Sequence, residues 1–98
     1  MAKTKTSPYD TADYLKTEED RALYFEACLE EAGDDPAFLA RALGTIARSR
    51  GMTQLARDTG LAREGLYKAL SGQGNPEFAT ILKVINALGL KLHVEAAP

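Results

Sequence analysis

The sequence holds a single cysteine, Cys28, a single histidine, His93, and no tryptophan. A lone cysteine excludes an intrachain disulfide. His93 has no cysteine or histidine at ligand spacing, so no metal is expected. No apolar run approaches the roughly 20 residues that span a bilayer. The opening MAKTKTSPYD lacks the apolar stretch of a secretion signal, so a cytoplasmic location is expected. Catalytic material is also scarce. An enzyme needs a nucleophile with its base, paired carboxylates in a pocket, or a phosphate loop. Gly72-Gln73-Gly74 lacks the lysine and the length of such a loop, and the acids of residues 10–35 read as helix caps and solvated faces. The expectation is a protein that is not an enzyme and takes no cofactor.

What is present is enough for one modest core. The 98 residues are 45% hydrophobic and 27% charged, ordinary values for one globular domain. The net charge of −2 is unevenly spread. Residues 1–35 carry a balance of −6, residues 36–75 one of +4, and residues 76–98 none. A basic segment suits phosphate contacts, and an acidic one suits a basic partner.

Residues 1–8 are polar and read as a flexible tail, leaving a single domain over 9–98. Within it, acidic helices are expected over 10–50, a helix-turn-helix over 52–72, and a helix and strand over 75–95. Asp10 can cap a short helix, Thr11 to Leu15, with Tyr9, Tyr14 and Leu15 available to dock. Thr17 with Asp20 resembles a capping box. Phe25, Cys28, Leu29 and Ala32 then share one helical face, and Gly33 supplies a stop. Asp35-Pro36 marks the next start, with Leu39, Ala42, Leu43 and Ile46 inward. Arg48 and Arg50 suit the negative end of that helix. Thr53 is the expected cap of a helix running to about Thr59. Gly60 can take the left-handed conformation at the bend, and a helix over Ala62 to Leu70 follows. Asn75-Pro76 repeats the start signal for a helix carrying Phe78, Ile81, Leu82, Ile85 and Leu88, stopped at Gly89. Leu90, Leu92 and Val94 then alternate with Lys91, His93 and Glu95, as in a half-buried strand. A single strand needs a partner, and a second copy across a dimer axis is the simplest one. The expected fold class is therefore all-α, a bundle of about six helices with one short C-terminal β-strand. Leu55, Leu61, Leu66, Ile81 and Leu88 are the expected core.

Thr53-Gln54-Leu55-Ala56, Thr59-Gly60-Leu61 and Leu66-Tyr67-Lys68-Ala69-Leu70-Ser71-Gly72 together resemble the Xre/Cro-like helix-turn-helix family. Tyr9-Asp10, Tyr14-Leu15, Arg63-Glu64-Gly65-Leu66-Tyr67 and Gly74-Asn75-Pro76 through Leu88-Gly89 extend the resemblance to HigA-like addiction-module antidote proteins. It covers roughly Tyr9 to Val94. The resemblance implies a DNA-binding antitoxin that neutralises a RelE/HigB-like toxin and represses its own operon. It further implies a homodimer on palindromic double-stranded operator DNA, and the lack of a bilayer-spanning apolar run predicts no membrane partner. A stand-alone Xre-family repressor without a toxin is the alternative. Two departures stand out: many Xre-type proteins have a longer first helix, and Ala62 occupies a position where serine or threonine often caps the second.

In such a unit the second helix enters the major groove while the first crosses the backbone. Gln54 can then donate to a phosphate, or act as a polar cap residue. Arg63, beside Ala62 at the start of the second helix, can reach a guanine edge with two donors. Glu64 either accepts from cytosine or balances Arg63. Tyr67 and Lys68, one turn on, suit phosphates, with half-burial against the next helix as the other reading for Tyr67. Arg57, Ser71 and Gln73 complete the expected DNA-binding set as flanking phosphate contacts.

Overall fold

The computed structural model describes residues 11–98. The expected tail over 1–8 and the roles of Tyr9 and Asp10 lie outside the described residues. The short helix expected over Thr11 to Leu15 is one 3-10 turn, Thr11–Tyr14. Five α-helices follow: α1 (Glu18–Ala32), α2 (Pro36–Arg50), α3 (Met52–Thr59), α4 (Arg63–Ala69) and α5 (Phe78–Ala87).

The first two begin where their local chemistry dictates. Thr17 Oγ1 accepts from the Asp20 N–H at 3.0 Å, and Asp20 Oδ2 accepts from the Thr17 N–H at 3.1 Å. This reciprocal pair satisfies two donors that a helix start leaves open. Asp35 Oδ1 accepts from the Phe38 N–H at 3.1 Å, and Pro36 stands at the first helical position. Such a proline gives up no helical hydrogen bond.

The later starts differ from expectation. Gly51, at φ +113°, closes α2 by donating to the Ala47 carbonyl at 2.7 Å and is itself the residue before α3. With one residue between the helices, Thr53 falls inside the first turn of α3 and does not cap it. Likewise α5 begins at Phe78 after Glu77, so Asn75-Pro76 belongs to the connection and starts no helix. Gly60 does adopt the left-handed conformation, at φ +74°, and donates to the Ala56 carbonyl at 2.9 Å. Leu61 and Ala62 complete the bend into α4.

The core lies where all five α-helices converge. Leu43, Ile46, Leu55, Leu66, Val84 and Leu88 are its largest fully buried side chains. Leu61 and Ile81, expected inside, are half-buried and pack on its edge. Gly44 permits a close crossing: a Cβ there would stand 2.8 Å from the Leu70 carbonyl oxygen, so even alanine would push α2 from the end of α4.

Arg50 was expected to serve the end of its own helix. It serves another, donating from Nη1 to the Ala87 carbonyl at 3.0 Å where α5 ends. Its guanidinium also lies 3.9 Å from both Glu18 and Asp58, joining α1 and α3 to that point.

The expected β-strand is absent among the described residues. Gly89, at φ +76°, turns the chain out of α5, and Leu90 donates to the Ile85 carbonyl at 3.1 Å. Beyond it the chain runs past α1, sharing a cleft with Ala22, Glu26 and Glu30, without a ladder. A strand is defined by its neighbour's hydrogen bonds, and one copy offers no neighbouring strand.

Candidate nucleic-acid interface

The amphipathic division of α4 presents a polar helix face in the basic part of the chain. Leu66 is fully buried, whereas Arg63, Glu64, Tyr67 and Lys68 are exposed. Burial of Leu66 against the core therefore fixes the rotation of the helix and turns these four side chains to solvent. Tyr67 is half exposed.

Arg63 and Tyr67 form a pair along this face. Arg63 Nη2 donates to the Tyr67 hydroxyl at 3.4 Å, and the guanidinium carbon stands 5.9 Å from the ring centroid. Residues four apart on a helix are neighbours, so the contact follows from spacing. It holds an otherwise flexible arginine along the helix surface. Ala62 precedes α4 with no side-chain cap, as its methyl group requires.

The other predicted residues fall into two groups. Ala62, Lys68 and Gln73 line one shallow cleft with Gly65 and Asn75. Ser71 organises the adjoining turn: its Oγ donates to the Lys68 carbonyl at 2.9 Å and accepts from the Gln73 N–H at 3.2 Å. That double role gives Ser71 a structural task in addition to any contact with a ligand. Gln54 and Arg57 are exposed on α3. Gln54 Nε2 donates to Asp58 Oδ1 at 2.8 Å, so its amide is engaged within the chain.

Gly65 was not among the expected contacts. It lies on the exposed part of α4, and a Cβ there would meet nothing within 4 Å. Packing does not require glycine at this position, although glycine costs about 0.5–1 kcal/mol against alanine in a helix. The sequence does show a glycine inside the helical segment, between Glu64 and Leu66.

Residues 5–96 match the model of a family described as "probable addiction module antidote protein". The chain belongs to this family. It is also 52% identical over 87 residues to an uncharacterized protein of Haemophilus influenzae, covering 89% of this chain and 88% of that one. No solved structure matches. An antidote family implies a toxin partner. Among the described residues no helix is long and apolar enough to cross a membrane, and no group of three or more histidine, cysteine or acidic side chains could hold a metal ion.

The exposed acids of α1 and its ends include Glu19, Glu26, Glu30, Glu31, Asp34 and Asp35, whereas α3 and α4 present Arg57, Arg63 and Lys68 beside Asp58 and Glu64.

Proposed function

We propose that this protein is the DNA-binding antitoxin of a type II toxin–antitoxin pair and catalyses no reaction. It neutralises a RelE/HigB-like toxin and represses its own operon as a homodimer on a palindromic site. The α3–turn–α4 unit is an Xre-type helix-turn-helix, and α4 is the helix that enters the major groove. The observation that carries the DNA reading is the exposed row of Arg63, Glu64, Tyr67 and Lys68 opposite fully buried Leu66. Membership of an antidote family supports the toxin half of the reading.

Each residue has a role suited to its chemistry. Arg63 reads a guanine edge with its two-pronged donor, and Glu64 accepts from a neighbouring cytosine. To reach a base, Arg63 exchanges its 3.4 Å contact with Tyr67 for the guanine, and the phenol turns to a phosphate. Lys68 and Gln73 border the same cleft and contact the backbone, with Ala62 leaving room at the helix start. Gln54, Arg57 and Ser71 add phosphate contacts at the flanks.

Binding to the protein's own upstream DNA tests this. Arg63→Ala should weaken operator binding by about 1–3 kcal/mol and relax base preference, while Lys68→Ala should weaken all sequences alike. Equal losses on operator and random DNA for Arg63→Ala would refute base readout. For the toxin half, tagged protein from its native host should retain a small basic protein in near-equal amount. Operator binding without such a partner would establish the stand-alone repressor instead.

A further inference from the structure

The segment after α5 carries a pattern that one copy of the fold leaves unused. Leu90 packs against the core and closes α5. From Lys91 to Glu95 polar and apolar side chains alternate, yet the backbone joins no ladder among the described residues. Leu92 borders an apolar groove with Phe25, Leu29, Phe78, Ile81 and Ile85. It remains 45% exposed, Val94 is 89% exposed and Phe78 70%. Alternating apolar side chains beside open backbone donors and acceptors make an edge suited to another strand.

We infer that residues 91–95 are the contact between two copies of this chain, paired antiparallel about a two-fold axis through His93. The charge pattern selects both partner and register. With the axis on His93, Lys91 stands opposite the second copy's Glu95, and Glu95 opposite its Lys91. Leu92 and Val94 meet in the same reciprocal way on the apolar side. A two-fold interface uses one surface twice, so every favourable pair occurs twice. Opposite charges directly across a pair of strands stabilise it, and like charges oppose it.

The competing registers lose these matches. An axis on Leu92 sets Lys91 against His93 and leaves Glu95 opposite Gly89. An axis on Val94 sets His93 against Glu95 and Lys91 against Ala97. An axis between residues sets polar side chains against apolar ones, since a one-residue slip reverses the faces. A parallel pair in register sets Lys91 against Lys91 and Glu95 against Glu95. A pair of short strands alone is marginal. Here its apolar side lies over the groove bordered by Phe25, Leu29 and Phe78 in each copy, which supplies the burial the strands lack. The inference rests on the dimer in the proposed function and is independent of how α4 reads DNA.

A charge exchange on the full chain tests it by sedimentation across micromolar concentrations. Lys91→Glu and Glu95→Lys should each raise the dimer dissociation constant about tenfold, through two repelling pairs per dimer. The double variant Lys91→Glu with Glu95→Lys should return to near the original value. His93→Cys, on the axis, should form a covalent dimer under mild oxidation, whereas buried Cys28 should not. Circular dichroism of each variant should report an unchanged helical fold. A chain that sediments as a monomer throughout overturns the inference together with the homodimer of the proposed function, whereas base readout by Arg63 is decided separately by the Arg63→Ala comparison on operator and random DNA. Single variants that dimerise like the original, or a double variant no better than the singles, also overturn it. Single variants that dimerise normally but lose a basic protein partner would assign the segment to that partner and overturn it too.

Discussion

The α1–α2 pair and the α3–α4 pair form helices in different ways. Each helix of the first pair has 15 residues and a side-chain cap, from Thr17 and Asp35. The second pair has 8 and 7 residues, and neither start carries a side-chain cap. Isolated helices of that length are unstable in water, so α3 and α4 depend on tertiary packing. They obtain it through Leu55 and Leu66, at 1% and 0% exposure. The helices bearing the candidate DNA contacts therefore exist because the rest of the core holds them. Their outward residues are correspondingly free to follow recognition rather than folding.

The sharpest way to break this contrast is Leu66→Ala. Removing a fully buried leucine from the shared core should cost about 2–5 kcal/mol. Denaturant unfolding should show that loss together with loss of operator binding. A variant that kept its stability would place the support of α4 elsewhere.

Caps should act in opposite directions on the two pairs. Thr17→Ala should destabilise by about 1 kcal/mol by breaking the capping box. Ala62→Ser should gain a comparable amount by supplying the missing cap, read as a shift of the unfolding midpoint at constant slope. If Ala62→Ser were neutral, the start of α4 would already be satisfied by other means.

Gly65→Ala separates folding from recognition. The site has open space, so alanine should stabilise by about 0.5–1 kcal/mol. The same methyl should weaken operator binding if DNA approaches this part of the helix. Higher thermal stability with unchanged affinity would remove Gly65 from the interface.

The smallest effect belongs to α1. Burial pushes both the Tyr24 phenol and the Cys28 thiol above their ordinary values. A group whose folded value is raised adds stability below its unfolded pKa and loses it as pH rises through the folded value. Stability should thus decline on the alkaline side, above the ordinary thiol value near 8.5. Native Cys28 should also react more slowly with thiol reagents at neutral pH than in the unfolded chain. Rapid native alkylation would show that α1 opens readily.

Much of this was legible locally. Thr17 with Asp20 and Asp35 with Pro36 mark helix starts because a cap involves atoms only three residues apart. Gly60 marks the bend, and the spacing of Leu66 and Leu70 gives the buried side of α4, hence the exposed Arg63, Glu64, Tyr67 and Lys68. Thr53 and Asn75-Pro76 carried equally good local signals and yet start no helix. There, Gly51 ends one helix and begins the next, and Pro76 lines the cleft and groove beside α4 and α5.

By itself, then, the sequence determined the helical periods, the first caps, the bend and the division between acidic and basic parts. These depend on contacts within about four residues, which any short window contains. Only the tertiary structure decided that Arg50 would close α5, 37 residues away, and that Gly44 would admit Leu70. It also decided that residues 91–95 would pass α1 without a ladder. Such outcomes depend on which distant backbone atoms meet when the core closes, and periodicity along one segment does not contain that geometry.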